Sequence, residues 1–397
     1  MKTTKSDPRD YDSNLSRRTF LRLLGVTSVG AGSLLVTSGC KTFPFRSSPS
    51  VSELKIYGSG AITLENWDRA KSDLGLVVRY KDNGNDVGPV ITQMTSGTAA
   101  EDFDLGCLQG GAENELARAG VILPWDLSTI PNFAALWQWA RDIPYAKAEG
   151  AQYGLPIVIN ADSMIYLPDH VGTVDSYAAV FDPKLKGKTS MEDAWINSAI
   201  FTAIYLKQNS LAKIQDPGDL TPDELGTVME FLIKNKKDGQ FRRLWNGWED
   251  GLQLIKSQEV WVMTGWEPIV LAAQKAGVNA QYAVPKEGYE GWSNDLILHK
   301  GAKSRNLVEV AHKFANWQIS GYYGCAISEL RGYVVPSDNA IEYAKAHPTE
   351  FNPGKIESTL VHVRDKFQKQ GGQTFWQNVR PKEFKLYEQW WSKLRAA

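Results

Sequence analysis

Between residues 54 and 119, short apolar runs rich in β-branched residues alternate with longer amphipathic stretches, and glycines lie at the junctions. The pattern predicts strands at 54–57, 76–80 and 103–108 and helices at 64–74, 87–94 and 110–119. This alternation is typical of a parallel sheet covered by helices, because parallel neighbours are joined through a crossover. Ligands of such sheets bind beyond the carboxyl ends of the strands, where residues 58–60 and 109–111 are expected.

The rest of the chain continues the mixture of strands and helices. The polar segment 160–162 separates two predicted strands, at 153–158 and 163–167. Thr221 and Glu224 have the spacing of a capping box with Pro222 between them, and they predict the start of a helix. Further strands are predicted at 259–264 and 281–284, and further helices at 267–276 and 307–317. A chain of 397 residues exceeds the size at which a single core stops growing, so we expect an α/β protein with two lobes.

Composition and motifs argue against several classes of function. The 44 Lys and Arg residues nearly balance the 45 Asp and Glu residues, which argues against a nucleic-acid-binding protein. The five histidines are scattered singly, and no nucleophile elbow, P-loop or complete dinucleotide fingerprint occurs. We therefore predict no metal site, no cofactor and no enzyme. Cys107 and Cys325 could form a disulfide if both lie in the first lobe, but two unrelated core residues are the simpler interpretation.

The N-terminal segment is typical of an exported protein. The pair Arg17 and Arg18 precedes a weakly apolar stretch, 21–36, that ends in small residues before Cys40. This layout predicts a twin-arginine signal peptide over 1–39. Cys40 stands where a lipidated cysteine is expected, although Thr37 occupies a position at which Leu, Val or Ile is usual, so cleavage with release is the alternative. Residues 40–52 are expected to form a flexible, lipid-anchored tether.

In the second half of the chain, aromatic residues recur beside glycines at predicted strand ends. Together with flanking segments, they carry a resemblance to the spermidine/putrescine-binding proteins, which are extracytoplasmic solute-binding receptors of ABC importers. The similar stretches, in the family's order, are 153–156 (YGLP), 181–193 (FDPKLKGKTSMED), 259–266 (EVWVMTGW), 284–292 (VPKEGYEGW), 331–333 (RGY) and 375–377 (FWQ). The resemblance extends from about residue 54 to the C-terminus.

The resemblance implies a two-lobed periplasmic-binding-protein fold, in which each lobe is a mostly parallel sheet flanked by helices and several hinge crossings join the lobes. The first lobe is expected to comprise 53–157 with 297–336, and the second 158–296 with 337–397. A monomeric receptor of this kind closes around a small-molecule amine or amino acid and delivers it to an ABC permease. It is expected in the periplasm or on the outer face of the cytoplasmic membrane, anchored by lipid on Cys40.

The resemblance also assigns ligand-binding roles by position. Trp266 and Trp292 match the tryptophans that sandwich the methylene chain of a polyamine, and cation–π attraction suits such rings to amines. Tyr333 and Gln377 match residues that line the other side of the ligand. Asp193 matches an acidic contact to an amine, although a helix N-cap is an equally good interpretation of this residue.

Several positions depart from the family's pattern and leave the ligand open. Asn294 stands in place of the main amine-binding aspartate, while Asp295 should face the opposite side of its strand. Ile196 replaces a second carboxylate, and Ser59 and Gly111 replace other residues expected at the cleft. Because a buried ammonium without a paired carboxylate is costly, these changes favour a ligand that is less cationic or bulkier than spermidine.

The alternative to a polyamine is therefore a zwitterion such as an ω-amino acid, for example 4-aminobutyrate. Its carboxylate could bind the backbone N–H groups of residues 110–111 at a helix start, or an arginine. The candidate arginines are Arg242, Arg243 and Arg331.

Two other classes stay open beside the receptor. An exported hydrolase on the same fold would need a nucleophile or an acid–base pair in the cleft, for which the sequence offers no motif. A lipoprotein that binds a partner protein would have a cleft that is filled or lacks the aromatic lining.

Overall fold

A computed structural model describes residues 52–84, 87–368 and 373–397. The predicted signal peptide over 1–39, the predicted lipidation of Cys40 and all of the predicted tether except Ser52 lie outside these residues. Among the described residues, no helix combines the length and the apolar character needed to cross a membrane.

The strands are β1 (Ser52–Gly58), β2 (Leu76–Asp82), β3 (Leu105–Gln109), β4 (Ile122–Leu123), β5 (Lys147–Ala148), β6 (Ala151–Gln152), β7 (Gly154–Tyr166), β8 (Thr189–Glu192), β9 (Phe241–Trp245), β10 (Val262–Gly265), β11 (Gln281–Tyr282), β12 (Tyr289–His299) and β13 (Thr374–Trp376). The helices are α1 (Asp68–Leu74), α2 (Val87–Thr95), α3 (Ala99–Asp102), α4 (Glu113–Arg118), α5 (Gln138–Arg141), α6 (Pro168–Val171), α7 (Trp195–Gln208), α8 (Pro222–Lys237), α9 (Trp248–Lys256), α10 (Glu267–Lys275), α11 (Lys300–Ser304), α12 (Val308–Gln318), α13 (Tyr322–Arg331), α14 (Asn339–Ala346), α15 (Pro353–Gln368) and α16 (Phe384–Ala396).

The predicted parallel arrangement of the first strands is confirmed. β1 lies between β2 and β3 and pairs in parallel with both, with Ile56 opposite Tyr80 on one side and Leu105 on the other. The buried side chains of β1 and β3 form one apolar core with α12 and α13, in which Leu54, Ile56 and Phe314 are fully buried. The carboxyl ends of the three strands therefore share one edge, as expected for a ligand-binding face.

A second group of strands follows the same rule. β8 lies between β10 and β9 and pairs in parallel with both. Its apolar core is built by α7, α8 and α16, and it includes Phe201, Met229 and Trp391. Each half of the molecule is thus a mostly parallel sheet with helices packed on it.

Two long strands, β7 and β12, connect the two halves. β12 pairs antiparallel with β3 in the first half and with β7 at the centre, and β7 pairs antiparallel with β10 in the second half. Every residue of both strands is buried. A strand that is covered on both faces has no room for the usual alternation of polar and apolar residues.

The prediction of two strands separated by residues 160–162 is wrong, because β7 is continuous through Asn160 and Asp162. These residue types usually interrupt strands because their side chains compete for backbone hydrogen bonds. Here other groups hold both side chains: Asn160 Oδ1 accepts from Lys366 Nζ, and Asp162 Oδ2 accepts from Trp292 Nε1. The polar segment marks a buried polar cluster rather than a break in the strand.

The two cysteines of the described residues are both free and buried. Cys107 lies in the core of the first strands, whereas Cys325 packs with Val334 and Ala340 in a separate apolar cluster. Cys107 and Cys325 are therefore two unrelated core residues, as the simpler of the two interpretations predicts, and they do not form a disulfide. The lobe boundaries at 157/158, 296/297 and 336/337 stay a prediction.

The capping box predicted at Thr221 is confirmed at the start of α8. Thr221 Oγ1 accepts from the backbone N–H of Glu224 at 3.4 Å, and Glu224 Oε2 accepts from the backbone N–H of Thr221 at 2.9 Å. Two backbone donors that a helix start leaves without partners are satisfied in this way.

The Thr221→Ala substitution should therefore lower the free energy of unfolding by about 1 kcal/mol, because it removes the cap. Urea unfolding followed by circular dichroism measures the change. Thr227→Ala, an exposed threonine within α8, is the matched control and should cost nothing, since Ala favours helix interiors. Equal losses for the two variants would contradict a specific capping role.

Candidate ligand-binding site

The antiparallel pairing of β7 and β12 brings two acidic side chains next to each other. Asp162 lies directly opposite Glu290, and the two residues are 6% and 0% exposed. Residues that are directly opposite in an antiparallel pair project from the same face of the sheet. Trp292 and Asn294 follow Glu290 on that face at the two-residue period of a strand.

Aromatic donors hold the Asp162 carboxylate. Trp292 Nε1 donates to Oδ2 at 2.9 Å, and the Tyr282 hydroxyl donates to Oδ1 at 3.4 Å. The Trp292 ring meets Tyr333 edge-on, with ring centroids 5.0 Å apart. Burial raises the pKa of Asp162 to about 7, although the Lys366 charge and the Trp292 hydrogen bond act in the opposite direction. The charge of Asp162 therefore depends on the cations that surround it.

Glu290 is held by an amide side chain from the C-terminal segment. Gln377 Nε2 donates to Glu290 Oε1 at 2.9 Å and also donates to Asn197 Oδ1. Burial raises the pKa of Glu290 well above its usual range, and the neighbouring Asp162 raises it further. Glu290 is thus a buried acid without a cationic partner among the described residues.

Glu192, the last residue of β8, adds a third carboxyl group. Burial raises the pKa of Glu192 to about 8, and the charge of Asp162 contributes, while a hydrogen bond from Asn197 acts in the opposite direction. We call Asp162, Glu192 and Glu290 the acidic cluster. Within the described ranges, no three His, Cys, Asp or Glu side chains converge in a way that could hold a metal ion.

Two buried acceptor oxygens at the acidic cluster, and a third that lies four residues beyond Glu290 on the same face of β12, have no hydrogen-bond donor within the described part of the chain. They are Glu290 Oε2, Asn294 Oδ1 and Gln377 Oε1. Buried acceptors without donors are costly, and folded proteins rarely leave them unsatisfied. An ammonium group supplies both the N–H donors and the positive charge that these oxygens require. The arrangement therefore has the chemistry of an amine-binding site.

Lys366 is a buried cation close to the acidic cluster, but other acceptors use its donors. Its Nζ donates to Glu267 Oε2 at 2.6 Å, to Asn160 Oδ1 at 3.1 Å and to the Ala161 carbonyl at 3.1 Å. Although burial acts to raise the pKa of Glu267, Lys366 lowers it to about 2. Lys366 and Glu267 therefore form an ion pair of their own, and an ammonium has only three N–H donors to offer.

The two tryptophans expected to bind ligand lie in different surroundings. Trp292 contacts Asp162 and Tyr333, as described above. Trp266 precedes α10, is partly buried, and packs edge-on against Trp245 with ring centroids 5.1 Å apart. The Tyr282 hydroxyl links the two regions, since its single O–H is shared between the Gly265 carbonyl at 2.9 Å and Asp162 Oδ1 at 3.4 Å. The sandwich of a ligand between the two indoles stays a prediction.

The Asp193 carboxylate accepts hydrogen bonds from the C-terminal helix, α16. Its Oδ1 accepts from Trp391 Nε1 at 2.9 Å and from Arg395 Nε at 2.8 Å. The alternative interpretation of Asp193 as a helix N-cap is wrong, because Ala194 occupies that position in α7. Both donors use Oδ1, and the expected contact of Asp193 with an amine stays a prediction.

Ser59 and Gly111, which are expected in the first lobe, make contacts within the protein. Ser59 is buried, and its Oγ accepts from the Ala61 backbone N–H at 3.1 Å. The predicted helix at 110–119 begins only at Glu113, and the Gly111 N–H donates to Glu113 Oε2 at 2.8 Å. The Gly110 N–H donates to the Ser293 carbonyl at 3.1 Å. The expectation that these two N–H groups bind a ligand carboxylate is therefore wrong for this conformation, since both are already used.

Of the three arginines considered, two form ion pairs on the surface. Arg242 pairs with Glu259, and Arg243 pairs through both terminal nitrogens with Asp250. Arg331 donates to the Thr63 carbonyl at 3.2 Å, and its buried Nε has no acceptor among the described residues. Arg331 is thus the arginine that retains a donor for a further group.

Reasoning from the sequence missed Asp162, Glu192 and Glu290 as site residues. A usable signal was present for two of them. Asp162 lies in a short polar segment between two apolar runs, and Glu290, Trp292 and Asn294 alternate at the period of a strand face. Glu192 carried no such signal, because it immediately precedes Asp193 and only the fold distinguishes the two acids.

The family model of the bacterial extracellular solute-binding proteins matches residues 69–350. The spermidine/putrescine-binding periplasmic protein of Escherichia coli (strain K12) is 22% identical over 287 residues, which are 71% of this chain and 74% of that protein.

Solved structures show the same fold. The spermidine/putrescine ABC transporter substrate-binding protein of Streptococcus pneumoniae superposes with a TM-score of 0.66 at 15% identity, covering 87% of this chain and 99% of that one. A GABA receptor structure, Atu4243, superposes with a TM-score of 0.64 at 16% identity, covering 86% and 98%. The expected two-lobed periplasmic-binding-protein fold is thereby confirmed, and the chain belongs to the family of bacterial extracellular solute-binding proteins.

Proposed function

We propose that this chain is the receptor of an ABC importer and binds a polyamine such as putrescine or spermidine, or a related amine, beside the acidic cluster. The observation that carries the proposal is that two buried acceptor oxygens, Glu290 Oε2 and Gln377 Oε1, have no donor in the described part of the chain. The named ligands of the relatives from Escherichia coli and Streptococcus pneumoniae support the same class. Trp266, Trp292, Tyr333, Gln377 and Asn294 are the proposed neighbours of the ligand.

The acidic cluster supplies negative charge that the change from aspartate to Asn294 removes. Asn294 supplies a neutral acceptor where the family's pattern has an aspartate. Asp162 and Glu290 supply carboxylates on the same strand face, and burial, which positive charge does not offset fully, raises their pKa values. A cationic ligand is therefore supported despite the substitution, and it would keep both groups ionised.

A zwitterionic ligand such as 4-aminobutyrate is the second candidate. The GABA receptor among the similar structures favours it, and so does the Nε of Arg331, which has no acceptor among the described residues. The backbone N–H groups of Gly110 and Gly111 and the donors of Lys366 are used within the protein, which leaves few donors for a carboxylate. The amine class is therefore favoured.

The proposal includes the setting of the receptor. A twin-arginine signal peptide over 1–39, lipid attachment at Cys40 and a monomer that delivers its ligand to a membrane permease are consistent with an extracellular solute-binding family. Binding without turnover is proposed because the relatives are solute-binding proteins. Closure of two lobes around the ligand would shift the open–closed equilibrium by the difference in affinity.

Isothermal titration calorimetry with putrescine, spermidine and 4-aminobutyrate tests the ligand class. We expect heat of binding for putrescine or spermidine, and weaker or no heat for 4-aminobutyrate, since the acidic cluster repels a carboxylate. Preference for 4-aminobutyrate would support the zwitterion instead. Absence of binding heat with all three compounds would contradict an amine as the ligand.

The Glu290→Gln substitution tests directly whether the Glu290 carboxylate binds the ligand. Removal of the charge should weaken the affinity for the diamine at least tenfold, because hydrogen bonds to charged groups contribute about 1.5–3 kcal/mol. Glu287→Gln is the matched control: Glu287 is also buried, but its carboxylate accepts from Ser176, Tyr177 and Asn209. Equal losses of affinity in the two variants would count against a specific role for Glu290.

The raised pKa of Asp162 predicts a pH dependence. Between its ordinary value of 3.8 and about 7, the folded chain binds a proton that the unfolded chain has lost, so the stability of the free protein falls as pH rises through this window. An ammonium ligand favours the ionised carboxylate, so Asp162 should make affinity rise up to tenfold per pH unit below 7 and should add no further rise above it. Glu192 and Glu290, whose pKa values are also raised, extend the rise to higher pH.

Calorimetry at several pH values between about 5 and 8 measures this slope. Asp162→Asn, which has no group to ionise at this position, should flatten the part of the slope that Asp162 contributes. Affinity that falls as pH rises would be the opposite of the expected result.

A further inference from the structure

Two residues of the second half of the molecule are inserted into an apolar cluster of the first half. Val379 is fully buried among residues of β1, α2, β3 and α4, including Val90, Leu108 and Ala112, and Ile196 packs against the same cluster. Yet the elements that carry them belong elsewhere. α7, which contains Ile196, and α16, which follows Val379 along the chain, pack in the core of the second half. These apolar contacts therefore join the two halves directly.

Polar contacts surround this apolar contact. The Val379 backbone N–H donates to the Gly110 carbonyl at 3.1 Å. Next to it, Arg380 Nε lies 3.0 Å from Glu115 Oε2 of α4, and the Arg380 side chain is only 10% exposed. A partly desolvated ion pair is screened less by salt than an exposed pair.

Gly111 shows how closely the two chain segments approach. A Cβ atom at this position would lie 2.4 Å from Asn378 Oδ1 and 2.7 Å from the Val379 backbone nitrogen. Its φ of +123° is also one that other residues rarely adopt. Close approach of another segment of the same chain, rather than of a ligand, accounts for glycine here.

We propose that residues 378–380 and 110–115 form a latch that holds the two lobes closed through contacts within the protein. Because apparent affinity equals the intrinsic affinity multiplied by the fraction of molecules in the closed form, the latch determines affinity without touching the ligand. A latch variant that lowers the closed fraction tenfold lowers the apparent affinity about tenfold. The inference rests on the fold and not on the identity of the ligand.

Small-angle X-ray scattering of the ligand-free protein tests the latch. Val379→Ser removes the apolar contact and Glu115→Gln removes the ion pair; both should give a larger radius of gyration than the unsubstituted protein. Val284→Ser changes an exposed valine of the second half and is the matched control, which should leave the radius unchanged. Glu115 is partly exposed, so its variant is expected to fold even if Val379→Ser does not.

Identical radii for Glu115→Gln, any folded Val379→Ser and the unsubstituted protein would overturn the proposal, whether all are closed or all are open. Because no ligand is added, this result is independent of the calorimetry with amines. A receptor that binds none of the three compounds could still have the latch, and a receptor without the latch could still bind an amine.

Discussion

The pairing of β7 with β12 is the interaction on which the other features depend. These two strands are buried along their whole length, and they connect sheets that are otherwise separate and mostly parallel. A one-residue shift in their register would turn Glu290 and Trp292 to the opposite face of the sheet. The hydrogen bond from Trp292 to Asp162 holds the register, because it joins side chains of both strands on the face where the acidic cluster lies. Architecture and binding chemistry thus rest on the same pair of strands.

Buried charged groups beside β7 and β12 are stabilised to different extents. Lys366 and Glu267 neutralise each other, and Asn160 and the Ala161 carbonyl complete the coordination of the ammonium. The acidic cluster has no such partner for Glu290, whose pKa is raised well above its usual range. The contrast is informative because a lysine shows how this environment binds an ammonium: through one carboxylate, one amide oxygen and one carbonyl. Glu290 and Gln377 provide a carboxylate oxygen and an amide oxygen for a ligand ammonium, and Asn294 provides a second amide oxygen further along β12.

Local features of the chain were predictable where neighbouring residues determine them. The capping box at Thr221 and the parallel strands β1, β2 and β3 follow from short patterns, and the structure confirms them. The continuity of β7 was not predictable, because the side chains that hydrogen-bond to Asn160 and Asp162 are distant in sequence. Lys366, which donates to Asn160, is one of them. The roles of Gly111 and Asp193 were equally hidden, since Val379 and Arg395, which contact them, lie more than 200 residues away.

The acidic cluster and the proposed latch would contribute to binding in different ways. Asp162, Glu192 and Glu290 all belong to the expected second lobe, and holding them together out of water is unfavourable while they are charged, as their raised pKa values indicate. The apolar contact of Val379 and the ion pair of Arg380 instead join the two halves without any ligand. In the proposed receptor, an ammonium compensates the charge of the acidic cluster, and the latch supplies closing energy that the ligand need not provide. Small changes in the latch could then tune affinity while the contacts that choose the ligand stay unchanged.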